Sequence, residues 1–218
     1  GDGLRLAVAS AELLVAVGQA GVGRQCDRGR RPVDLYDSGA GQALSPNEAI
    51  LWHAEGVHSQ FHPWFGVLLV LGRQPDETAF EAAVARTMER QPRMRQRIGV
   101  RGLGIGLPEW RDVGNVDIRY HVRRLRLQPD ADLASALGAI AVITALPMDR
   151  GRPLWECYLL GPLVGGRTLC LFKFHGALID SVVGCARLVA DALADIAVPQ
   201  RFTAATSDLD RLANSVPA

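Results

Sequence analysis

Residues 172 to 181 read FKFHGALIDS, with His175 and, five positions on, Asp180. An imidazole and a carboxylate around a turn after an apolar strand are the groups an acyl-transfer site uses. The imidazole takes a proton from a hydroxyl, and the oxygen then attacks an acyl carbon. Ser181 and Cys185 lie just beyond and are nucleophiles by type, but no histidine has a spacing that would activate either. Other histidines could share the work. His62, in FHPWFG, and His121, in VDIRYHVRRLRL, could each line a cavity, and for His121 a structural role is the plainer expectation. His53 and His58 fall on or just after a short helix and read as surface or packing residues. Lys173, the only lysine, alternates with Phe172 and Phe174 and reads as solvent-facing. Trp155, in PLWE, reads first as a core anchor and second as a substrate contact. Asp149 and Arg152 nearby could pair with Asp180 or cap a turn.

The elements that must hold these residues are readable from hydropathy and end signals. Ser45, Pro46 and Glu48 have the pattern of a helix start, and the helix is expected to run through Ala54. WFGVLLVLG, 64 to 72, is a continuous apolar run between Pro63 and Gly72 and reads as a buried strand. Asp76 opens a helix with Phe80, Val84 and Met88 on one face, stopped near Pro92. RMRQRIGV reads as a strand, GLGIGLPEW as a glycine-rich turn, and VDIRYHVRRLRL as a half-exposed strand because it alternates. Helical spacing follows from Asp132 to Ala145. LWECYLLG and RTLCLFKFHG are two apolar strands joined by PLVGG, a hairpin. SVVGCARLVADALADIA is a helix with Val183, Leu188, Ala192 and Ile196 roughly on one side. Helices interleaved with strands give an α/β (α+β) domain, a mixed sheet flanked by helices.

The bulk numbers set limits. The chain has 218 residues, 48% of them hydrophobic, enough for one sizeable core. A net charge of +1 gives no electrostatic footprint for nucleic acid. Cys26, Cys157, Cys170 and Cys185 show no C-x-x-C and no His/Cys ligand spacing, which argues against zinc and for a reduced, cytoplasmic protein. A Cys157–Cys170 cross-strand disulfide is the lesser alternative. Residues 4 to 23 are apolar but carry Arg5 and Glu12, so they read as an amphipathic or buried helix rather than a membrane span or a signal peptide. Residues 24 to 42, rich in Gly, Arg and Asp, read as a linker. The domain division is therefore 1–40, helix plus linker, and 41–218, the folded domain.

From Leu44 to about Ala194 the chain resembles the N-terminal half of the wax ester synthase/diacylglycerol acyltransferase family. That family has the chloramphenicol-acetyltransferase-like, CoA-dependent acyltransferase fold. The resemblance is carried in order by LSPNEAILW, PRMRQRI, GLPEW, DIRYHVRR, PMDRGRPLWECYLL and LCLFKFHGALIDS; residues 1 to 40 lie outside it. It implies acyl-CoA-dependent O-acyl transfer to a long-chain alcohol or diacylglycerol, with acyl-CoA as co-substrate and no bound cofactor. It also implies peripheral contact with membrane or lipid-droplet surface, where such acceptors reside.

The family's signature here is His-His-x-x-x-Asp-Gly, whose second histidine is the general base and whose aspartate supports the loop. This sequence keeps His175 and Asp180 but has Gly176 at the base position and Ser181 at the motif glycine. A slide by one residue does not restore the register, because adjacent side chains of an extended segment point to opposite faces. His175 is thus expected to turn inward and the chain to be catalytically impaired. The resemblance further implies a second half that forms the other wall of a tunnel, from a second subunit or a second copy. The alternative reading is a non-catalytic half-domain that binds acyl chains or acyl-CoA or scaffolds a partner; a folded remnant is a third.

Overall fold

The computed structural model describes residues 11–14, 41–58, 61–100, 107–179 and 182–194. A short strand β1 (Ala11–Leu14) pairs antiparallel with a later one, and β2 (Gln42–Ala43) precedes helix α1 (Pro46–Val57). The helix expected over residues 4 to 23 is thus a strand where the chain is described. An apolar run fits either conformation, and a free sheet edge favours the extended one. Helix α1 starts as its sequence dictates. The Ser45 hydroxyl accepts from the Glu48 amide at 3.4 Å, and the Ser45 amide donates back to the Glu48 carboxylate at 2.6 Å. The helix continues one turn past Ala54, to Val57.

Strand β3 (Trp64–Leu71) leads into α2 (Glu77–Arg90), capped by Asp76. A 3-10 turn at Pro92–Arg95 precedes β4 (Gln96–Val100), and β5 (Pro108–Asp112) returns beside it. Next come a single helical turn α3 (Ile118–His121) and β6 (Val122–Leu125). The long alternating strand expected here is therefore only four residues, because Asp117 caps a helical turn by accepting from the Tyr120 amide. Helix α4 (Leu133–Ala145), the hairpin β7 (Trp155–Leu160) and β8 (Thr168–His175), and α5 (Val182–Ala194) complete the order. No described helix is long and apolar enough to cross a membrane.

The strands form two sheets. The larger has the order β1-β3-β8-β7-β6, antiparallel except for the parallel β6–β7 pair, so it is mixed as expected. The smaller, β2-β5-β4, is antiparallel. Both faces of the larger sheet are covered. On one, Val67, Leu69, Cys170, Phe172 and Phe174 pack against Phe80, Val84 and Met88 of α2 and Leu188 and Val189 of α5. On the other, Leu68, Val70, Leu169 and Leu171 pack against Ala136, Ile140 and Ile143 of α4. Each such side chain contributes about 1.5–3 kcal/mol by leaving water.

Burial on both faces overturns the reading of Lys173 as solvent-facing. It is 1% exposed, and its Nζ donates to the carbonyls of Ile143 at 3.1 Å and Leu146 at 2.6 Å. The alternation along β8 separates two cores, not core from water. The ammonium is accommodated because the last carbonyls of α4 lack partners within the helix and favour a cation.

Candidate active site

Register gathers the chemistry-bearing residues at one end of the larger sheet. His175 pairs with Trp64 across β3 and Phe174 with Trp155 across β7. Val122 opens β6 beside Cys157, so His121, just before it, lies at the same end. Backbone bonds fix the turn after β8: the His175 amide donates to Leu154 O and the Gly176 amide to Pro63 O.

His175 is 1% exposed and turns inward, and both of its ring nitrogens are engaged. The Ala177 amide donates to Nδ1 at 2.9 Å, so the neutral ring carries its proton on Nε2. Nε2 in turn donates to the Glu55 carboxylate at 3.1 Å. No lone pair is left to accept a substrate proton. This ring closes the turn onto α1.

Gly176 is buried as well. A Cβ built there would lie 3.0 Å from Leu51 Cδ1, 3.5 Å from Pro63 Cβ and 3.6 Å from Phe65 Cε2. Leu51 and Glu55 are four residues apart and share a face of α1, so one helix covers position 176 and clasps position 175. The covering atom nearest position 176 is the end of a flexible side chain.

Glu55 and Arg150 are the residues that sequence reasoning missed. Burial pushes the Glu55 carboxyl up, but the hydrogen bond from His175, with Arg150 and His62, outweighs it and holds it below its ordinary value. The Arg150 guanidinium stacks on the Trp52 ring at 3.5 Å, donates to Trp52 O at 2.9 Å and lies 3.9 Å from Glu55. The available signal was a carboxylate on the same side of α1 as Leu51. His62, half-buried, has Nδ1 3.5 Å from Glu55 and so stands at the edge of this cluster.

Trp155 is fully buried, its Nε1 donating to Met94 O at 2.9 Å. The indole is a core anchor, the first of the two readings of PLWE, because it opens a strand covered on both sides. Asp149 and Arg152 pair with each other at 3.2 Å, and Asp149 also caps the turn at Gly151. Cys157, Cys170 and Cys185 are buried thiols; the sulfurs of Cys157 and Cys170 stand 3.9 Å apart, in a thiol–thiol hydrogen bond and not a disulfide. Asp180 and Ser181 lie outside the described residues, as does Cys26.

His121 is held differently from His175. It is 1% exposed, stacks on Trp155 with ring centroids 4.3 Å apart, and its Nδ1 lies 2.7 Å from Trp155 O. A carbonyl only accepts, so Nδ1 carries the proton and Nε2 keeps a lone pair. Burial, with the charges of Arg152 and Arg123, brings the pKa down to about 4 despite the bond to Trp155. Because the folded value lies below the ordinary 6.5, the unfolded chain binds more protons in between. The resulting stability is fully present above about pH 6.5 and is lost as the pH falls toward about 4. It amounts to on the order of 3 kcal/mol. His121→Gln should flatten this part of the parent's stability-versus-pH curve, measured by urea unfolding; parallel curves for the two proteins would refute the assignment.

Residues 44–214 match the model of the wax ester synthase/diacylglycerol acyltransferase catalytic domain. Among curated proteins, the chain is similar to tgs3 of Mycobacterium tuberculosis, named as a probable diacylglycerol O-acyltransferase. The identity is 34% over 170 residues, covering 72% of this chain and 62% of that protein. It is also 31% identical over 140 residues to tgs1 of the same species, likewise so named, covering 64% of this chain and 30% of that one. Thus the chain spans less than two thirds of the length of these relatives. Among solved structures, the wax ester synthase/diacylglycerol acyltransferase from Marinobacter aquaeolei VT8 superimposes with a TM-score of 0.54 at 24% identity, over 67% of this chain and 37% of that one. The starter condensation domain of rhizomide synthetase RzmA gives 0.60 at 15% identity, over 81% and 45%. At these identities the superpositions establish the fold alone.

Proposed function

Because the chain belongs to the wax ester synthase/diacylglycerol acyltransferase family, we propose that it serves acyl-CoA-dependent transfer of a fatty acyl group to the hydroxyl of a long-chain alcohol or diacylglycerol, with its own motif histidine reduced to a structural role. In that reaction the acceptor oxygen attacks the thioester carbonyl, the C–S bond breaks, CoA leaves as the thiol, and the acceptor's proton must be taken up. The observation that carries the reading is His175, whose two nitrogens are both engaged beside a glycine. Without a positioned base the step is slower by about 10²–10⁴. The opposite tunnel wall is the second half-domain of the fold, and the setting is a reduced cytoplasm next to a membrane or lipid-body surface.

Gly176 also favours a second reading, a half-domain that binds acyl-CoA or a partner without turning substrate over. Both are tested with purified protein, palmitoyl-CoA and hexadecanol or dioleoylglycerol, following binding by calorimetry and ester by chromatography. The proposed function expects binding with slow ester formation, and the second reading binding with none. Fast turnover abolished by His175→Ala would show that the surviving ring is the base, and failure to bind palmitoyl-CoA would overturn the proposed function and the acyl-CoA-binding form of the second reading.

A further inference from the structure

His121 is buried with its Nδ1 held on Trp155 O, and its Nε2 has no hydrogen-bond partner among the described residues. Its ring lines an open cavity of about 540 Å³ at the motif end of the larger sheet. Charged groups surround that cavity, but their use is uneven. Asp149 is taken by the Gly151 amide and Arg152, Asp112 by the Gly114 amide, and Asp117 by the Tyr120 amide. Arg97 also lines it. Three carboxylates against two guanidiniums leave the rim with an excess of one negative charge, which disfavours an anion. Among the groups that line it, His121 Nε2 accepts and cannot donate, because Nδ1 holds the proton against Trp155 O. A ligand that satisfies it must bring a hydrogen-bond donor and no negative charge.

We propose that the cavity over His121 is a binding site for a neutral, hydroxyl-bearing head group, whose O–H donates to His121 Nε2 while Arg97 and Arg152 donate to its other oxygens. This rests on the acyl-acceptor reading for its choice of ligand, a glycerol hydroxyl of diacylglycerol. The site itself is defined by the cavity and the open lone pair. The lone pair persists across the physiological range, since the imidazole protonates only at about pH 4. Trp155 and Tyr120, whose rings flank His121 at 4.3 and 5.2 Å, hold the ring in that orientation.

The experiment uses protein labelled with ¹⁵N-histidine and the soluble probe 1,2-dihexanoylglycerol. The Nε2 resonance of His121, assigned by its loss in His121→Gln, should move upfield on titration as the nitrogen accepts a hydrogen bond. Trihexanoylglycerol, which lacks the hydroxyl, should leave it in place. Hexanol at equal concentration should move it less, because it cannot engage the two arginines. Binding should weaken about tenfold in His121→Leu and less than about threefold in His121→Gln, whose amide oxygen still accepts. An unmoved resonance with dihexanoylglycerol, an equal response to trihexanoylglycerol, or a response to inorganic phosphate instead would each overturn the proposal. Ester formation is not the readout, so a chain that binds the probe but never turns over would leave this site standing while the catalytic reading fell.

Discussion

Gly176→His combined with Ser181→Gly raises acyl transfer above the parent by about tenfold or more, the lower part of the range for a positioned general base. The gain is expected because the change restores an imidazole at the motif's base position, next to a ring that is already committed to Glu55. Structure adds a condition that the motif alone does not contain. A Cβ at position 176 comes within 3.0 Å of Leu51 Cδ1, closer than ordinary contact, so the new ring needs Leu51 to give way. Adding Leu51→Ala to the pair should therefore raise the gain further, although truncating a partly buried leucine costs some stability. Rates are to be compared in preparations whose palmitoyl-CoA binding has been measured, so that chemistry is separated from occupancy. An unchanged rate in both the double and the triple variant, with binding intact, would show that a missing base is not what limits this chain.

Glu55→Ala destabilises the protein by about 1–3 kcal/mol, the range for leaving a buried hydrogen-bond donor without its acceptor. The carboxylate is only 8% exposed and is the shared partner of His175, His62 and Arg150. Its removal leaves His175 Nε2 with a proton and no acceptor under α1, and Arg150 with no counter-charge. Glu55→Gln should cost less, since an amide oxygen can still accept from Nε2. Because the folded pKa of Glu55 lies below its ordinary 4.5, the stability it supplies is complete above about pH 4.5 and is lost as the pH falls through the lower folded value. Urea unfolding of parent, Glu55→Ala, His175→Ala and the double variant measures the coupling between the two residues. Additive losses would mean that the two side chains do not act as a pair, and that something else keeps the motif ring turned inward.

Much of the fold was legible because it is written locally. Ser45 with Glu48, Asp76 and Asp132 each start a helix by bonding to an amide three residues on, so type and position suffice to find them. The β7–β8 hairpin announced itself as two apolar runs around PLVGG. Errors arose where a local pattern has two tertiary solutions. The alternation in DIRYHVRR fits a strand or a helical turn followed by one, and Asp117 capping decided for the latter. Residues 11–14 fit a helix or a strand, and pairing with β3 made them a strand.

The sequence by itself determined the family, the order of the elements and the substitution of glycine for histidine at position 176, because each is a matter of which residue follows which. Only the tertiary structure decided what the surviving side chains do. Lys173 alternates with phenylalanines whether the far side of β8 is water or a second core, and α4 settled that by covering it. His175 is occupied by a carboxylate 120 positions away in the chain, and His121 is given its tautomer by a carbonyl 34 positions away. A side-chain period records that two faces differ, but not what lies opposite each, so the protonation and availability of both imidazoles had to wait for the packed molecule.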